Sequence, residues 1–65
     1  MIIKIWEVRN SKGVSLVELA RDTGISKSTL NNYENNKIYP NLLQLERIAT
    51  ALDCRITDLF DSERK

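Results

Sequence analysis

The side chains best suited to recognition chemistry lie close together in this sequence: Lys27, Ser28, Thr29, Asn31 and Asn32, all shortly after Ser26. A lysine donates only, an asparagine carboxamide both donates and accepts, and a hydroxyl does either. What such a set can perform is reversible hydrogen bonding to a polar edge. Bond-making chemistry has no comparable set. There is no histidine, no glycine-rich phosphate loop and one cysteine, Cys54, beside Asp53, which reads as a semi-buried packing residue rather than a nucleophile. No catalytic residue, metal site or cofactor is expected. By residue type alone the five polar residues describe a solvated face, which is what such residues usually form.

The elements that position them are legible in the stretch from Ser15 to Glu34, SLVELARDTGISKSTLNNYE. Leu16, Leu19 and Ala20 fall three and four residues apart, giving one apolar helix face, while Glu18, Arg21 and Asp22 point elsewhere. Ser15 and Glu18 stand at capping-box spacing, so the helix starts there and runs to about Thr23. Gly24 suits the left-handed residue that ends a helix, and Ser26 can cap the next one. In that second helix Leu30, Tyr33 and Ile25 form the inward stripe. Its polar residues are poor helix formers, a composition selected for what it presents rather than for helicity.

Before this pair, Ile2, Ile5, Trp6 and Val8 recur at helical spacing and predict a first helix from Met1 to Lys12, closed at Gly13. A strand is the rival, because Ile2, Ile3, Ile5 and Trp6 favour sheets, but no other segment resembles a partner for it. After the pair, Asn36 suits a left-handed helix end. Asn41 and Gln44 make a second capping box behind Pro40, opening a fourth helix with Leu42, Leu45, Ile48, Ala49 and Leu52 inward. Ile56 to Phe60 reads as a short fifth helix with Leu59 and Phe60 inward, and the charged residues 61–65 as a frayed tail.

Sixty-five residues make one domain, residues 1–65, with little core to spare and no disulfide to reinforce it. No apolar run is long enough for a membrane span and no secretion signal is apparent, so a reducing, cytoplasmic setting is expected. The net charge of +1 neither demands nor excludes a polyanionic partner.

The run ELARDTGISKSTLNNYENNKIYPNLLQLERIATALDCRITDLF resembles the lambda-repressor-like, Cro-type (XRE) helix-turn-helix family. The matching features, covering Arg9 to Phe60, are Arg9, Glu18-Leu19-Ala20, Gly24-Ile25-Ser26, Glu34, Pro40, Ala51-Leu52 and Leu59. The resemblance implies an all-α, five-helix domain that places its third helix in the DNA major groove. Lys27, Ser28, Asn31 and Asn32 then fall where the family reads bases, with Thr29 beside a thymine methyl or a phosphate. The chemistry agrees: Lys donates to guanine O6 or N7, Asn bonds bidentately to adenine, and Ser or Thr serves either. Phosphate contacts are expected from Ser15 and from Asn35, Lys37, Tyr39 and Asn41. The resemblance also implies a partly buried structural ion pair between Arg9 and Glu34. Three positions depart from the pattern: Leu16 replaces a common glutamine, Asn36 a common glycine, and Arg55 a common Ser or Thr cap.

The function expected is therefore sequence-specific binding of a double-stranded DNA operator by a bacterial or phage-type transcriptional regulator, acting as a repressor. A weak homodimer is expected, becoming dimeric on DNA through Leu43, Arg55 and Ile56, because one helix reads too few base pairs to find a genomic site. The alternative is an antitoxin or small regulator whose main partner is another protein.

Overall fold

The computed structural model describes residues 1–65, and the main difference from the sequence reading lies at the two ends of the chain. Ile2–Ile3 (β1) is extended and pairs antiparallel with Phe60–Asp61 (β2), Ile2 opposite Asp61 and Ile3 opposite Phe60. The partner strand, which sequence reasoning could not find, comes from the far end of the chain. Alternation then sorts the two isoleucines, with Ile3 buried and Ile2 exposed. Neighbouring hydrogen bonds hold the pair: Lys4 N–H donates to the Leu59 carbonyl at 2.8 Å, and Ile3 N–H donates to Asn36 Oδ1 at 2.9 Å. Asn36 is left-handed, with φ 57°, and its carboxamide satisfies a strand-edge amide.

The first helix is correspondingly shorter than the spacing predicts, running over Ile5–Ser11 (α1). Ile5 is its fully buried residue, and Trp6 lies largely in solvent. Leu16–Thr23 (α2) and Lys27–Glu34 (α3) form the helix-turn-helix. The Ser15 hydroxyl accepts from Glu18 N–H at 3.1 Å while Glu18 Oε1 accepts from Ser15 N–H at 3.3 Å, completing the capping box. Gly24 ends α2 at φ 72°, a backbone conformation that costs glycine little. Thr23, the buried polar residue of the core, donates its hydroxyl to the Leu19 carbonyl and accepts from Ile25 N–H, so its burial leaves nothing unpaired.

Leu42–Leu52 (α4) packs Leu45, Ile48, Ala49 and Leu52 inward against Leu19, Leu30 and Leu59 in one core. Leu42 does not join them: it lies in the first turn and is 75% exposed, lining an open apolar groove with Met1, Tyr39 and Pro40. The second capping box is half-formed. Asn41 Oδ1 accepts from Gln44 N–H at 2.8 Å, but the buried Gln44 Oε1 has no hydrogen-bond partner.

The expected fifth α-helix is a single 3-10 turn over Ile56–Leu59. Asp58 N–H donates to the Arg55 carbonyl at 3.0 Å and its carboxylate accepts from Arg55 N–H at 3.0 Å, so the turn closes without a capping side chain from Arg55. At the other end Phe60 is extended and drawn into β2, which leaves too few residues for a longer helix. The fold is therefore four α-helices, a 3-10 turn and a terminal strand pair. Asp61, expected to begin a frayed tail, is paired with Ile2.

Candidate nucleic-acid interface

The helix α3 forms from unpromising residues because both of its ends and its inner face are fixed. At its start the Ser26 hydroxyl accepts from Thr29 N–H at 3.1 Å and donates to Thr29 Oγ1 at 2.8 Å. At its end Asn35 N–H donates to the Asn31 carbonyl, and Lys37 N–H reaches back to the Asn32 carbonyl at 2.9 Å across left-handed Asn36. Leu30 and Tyr33 anchor it to the core. The opposite face is thereby held out.

On that face Lys27, Ser28 and Asn31 are exposed, whereas Thr29 and Asn32 are half-buried. No side-chain hydrogen bond within the protein engages Lys27, Ser28, Asn31 or Asn32. Their donors and acceptors have no partner within the protein. Thr29 differs, because its hydroxyl oxygen already serves the Ser26 cap. Lys27, Ser28 and Asn31 line one open depression together with Leu16 from the first turn of α2. In the sequence that fourth residue belongs to the apolar face of α2 and departs from the family's glutamine. Its neighbours could be identified only once the angle between α2 and α3 was known.

The residues expected to meet phosphates are distributed less evenly. Ser15 is exposed at the N-terminus of α2, where the amides of Leu16 and Val17 have no acceptor within the helix. Glu18 occupies the Ser15 amide and adds a negative charge beside it. Asn35, Lys37 and Tyr39 are exposed in and before the loop after α3, with free side chains. Asn41 has committed its side-chain oxygen to capping α4.

Arg9 and Glu34 meet as a bidentate pair. Nε donates to Oε2 at 2.7 Å and Nη2 to Oε1 at 3.0 Å, while Nη1 reaches the Val14 carbonyl at 3.0 Å. The two side chains are 12% and 5% exposed. Hydrogen bonding to Glu34 holds the Arg9 guanidinium above its ordinary pKa; the carboxylate's attraction adds to this and burial opposes it. The pair ties α1 to the last residue of α3.

Of the surface expected to meet a second copy, Leu43 and Arg55 are exposed while Ile56 is half-buried against the core. The structure gathers none of the three into a common depression. Cys54 lies in an open cleft walled by Lys4, Glu7, Lys12, Asp53 and Asp58. Burial, then Asp58 and Asp53, push its thiol pKa up against the opposing effect of Lys12, the reverse of what an activated nucleophile requires. No helix is long and apolar enough to cross a membrane.

Comparison with known proteins agrees with this geometry. A family model described as the Cro/C1-type HTH DNA-binding domain matches residues 4–65. The HTH-type transcriptional regulator SinR of Bacillus subtilis is 35% identical over 63 residues, covering 95% of this chain and 57% of SinR. The chain thus spans little more than half of that relative. An SPbeta prophage-derived HTH-type regulator, YopS, also from Bacillus subtilis, is 36% identical over 58 residues, with 88% of this chain and 78% of YopS covered. Among solved structures, the restriction-modification controller protein C.AhdI of Aeromonas hydrophila superposes with a TM-score of 0.82 at 32% identity, covering 88% of this chain and 86% of that one. The N-terminal DNA-binding domain of SinR gives 0.80 at 35% identity, covering 95% and 91%.

Proposed function

Since the chain belongs to the Cro/C1-type helix-turn-helix DNA-binding family, we propose that it is a sequence-specific transcriptional regulator of bacterial or phage type. In this reading α3 enters the major groove of an operator and represses by occupying it. The observation that carries the proposal is the unpaired polar face of α3, where Lys27, Ser28 and Asn31 stand exposed on a helix whose ends and inner side are fixed. Lys27 offers donors to a guanine edge, Asn31 a bidentate partner to adenine, and Ser28 a shorter donor or acceptor. Half-buried Asn32 and Thr29 border the reading face. Ser15, Asn35, Lys37, Tyr39 and Asn41 set the register on phosphates.

Reading and positioning separate experimentally. Lys27→Ala or Asn31→Ala is expected to cost about 1–3 kcal/mol and to relax preference at particular base pairs. Lys37→Ala is expected to weaken operator and scrambled duplexes alike and to reduce the salt slope by about one. Binding isotherms on both duplexes at several salt concentrations check this. If preference survives loss of both Lys27 and Asn31, α3 is not the reading element.

The working form in this proposal is a two-fold dimer on DNA, weakly associated when free. Two copies of α3 in successive major grooves require a near-palindrome with half-sites about 34 Å apart. Leu43 and Arg55 offer a modest area, so contact between copies adds to operator binding rather than preceding it. Ile56 is partly packed on the core, which makes exposed Leu43 the cleaner probe. Leu43→Glu is expected to lower cooperative occupancy of a full site while half-site affinity and melting temperature stay at parental values. Gel shifts on full and half sites, with sedimentation of the free protein, measure it.

A further inference from the structure

Leu16 is the member of the depression beside α3 that carries no hydrogen-bonding side-chain group. Its neighbours there, Lys27, Ser28 and Asn31, are all polar. It is half-buried, with one side packed on the core and the remainder turned to that depression, directly after the cap residue Ser15. A surface otherwise built of donors and acceptors therefore includes one patch that offers only apolar contact. Among the groups that base pairs present in the major groove, the apolar one is the C5-methyl of thymine, and the rest are nitrogen and oxygen donors and acceptors.

Resting on the reading of α3 as the DNA-reading helix, we propose that Leu16 is a specificity-determining residue whose side chain meets a pyrimidine C5-methyl group. That pyrimidine neighbours the base edges bonded by Lys27 and Asn31. Discrimination has two sources. The methyl gains an apolar contact against Leu16 that the bare C5–H of cytosine does not make. Packing also restrains the leucine, so part of its contact surface is held in place before DNA arrives. A glutamine at this position would instead add another donor and acceptor.

The test begins with a duplex enriched from a random pool by the unmodified protein. Each thymine is replaced singly by uracil, which removes the methyl and leaves the pairing edge intact. At one thymine in each half-site the replacement is expected to weaken binding about 3–5-fold, the worth of burying one methyl group. With cytosine at that position, 5-methylcytosine is expected to bind better than cytosine, because it restores the same group. Leu16→Gln and Leu16→Ala, each confirmed as folded by circular dichroism, should erase the thymine–uracil difference there and leave other positions unchanged. A penalty that persists in both variants, the absence of any sensitive thymine, or no gain from 5-methylcytosine overturns the assignment of Leu16 alone. A pool that enriches no duplex overturns the DNA reading beneath it as well.

Discussion

Leu30→Ala is expected to unfold the protein or bring it to the edge of unfolding at room temperature. Leu30 is fully buried on the inner face of α3, within the cluster that also holds Leu19, Ile48, Leu52 and Leu59. Truncating a buried leucine to alanine removes its transfer free energy and leaves a cavity, costing about 2–5 kcal/mol. A chain of 65 residues at roughly 0.05–0.15 kcal/mol per residue has about 3–10 kcal/mol in total, so the loss takes a large share of it. DNA binding should disappear with the fold. Lys27→Ala, on the other face of the same helix, should leave the melting temperature near the parental value. Thermal unfolding by circular dichroism compares the two, and a cooperative parental-like transition for Leu30→Ala would show that α3 is not seated as described.

Arg9→Met is expected to cost about 3–5 kcal/mol, because it leaves the Glu34 carboxylate, 5% exposed, without its charged partner. The paired Arg9 has its pKa raised, so its contribution is complete below the ordinary guanidinium range and is lost only as pH rises through a still higher value. The destabilisation should therefore be the same across neutral and mildly alkaline pH. Arg9→Met/Glu34→Leu removes both charges and should recover part of the loss, since two apolar side chains can fill the space without a stranded ion. If the double variant melts no higher than Arg9→Met, the cost lies elsewhere, the Arg9 Nη1 bond to the Val14 carbonyl being the other interaction it loses. Denaturant unfolding of the parent, both single variants and the double variant gives the coupling energy directly.

The parts of this molecule legible in the sequence are those written in local rules. Ser15 with Glu18, Gly24, Ser26, left-handed Asn36 and the Asn41 cap each declare a helix end within a few residues of themselves. The stripe of Leu45, Ile48, Ala49 and Leu52 follows the helix period. What was not legible depends on partners distant in the chain. Ile2 and Ile3 look helical or extended depending on whether anything pairs with them, and Phe60 with Asp61 offers no strand pattern long enough to notice. Leu42 has the right period for the core and the wrong place along α4. For the interface, Lys27, Ser28 and Asn31 stood out by type, but which of the five polar residues are free, and that Leu16 joins them, depends on how α2 and α3 are packed.

Asn36 makes the strand pair more than an end clasp. Its backbone forms the exit from α3 between Tyr33 and Lys37, while its carboxamide holds the amide of Ile3, itself laced to Phe60. The terminal strands are thus joined to the turn that places Lys37 after α3. The paired ends share an attachment at the foot of the helix that carries the exposed polar face.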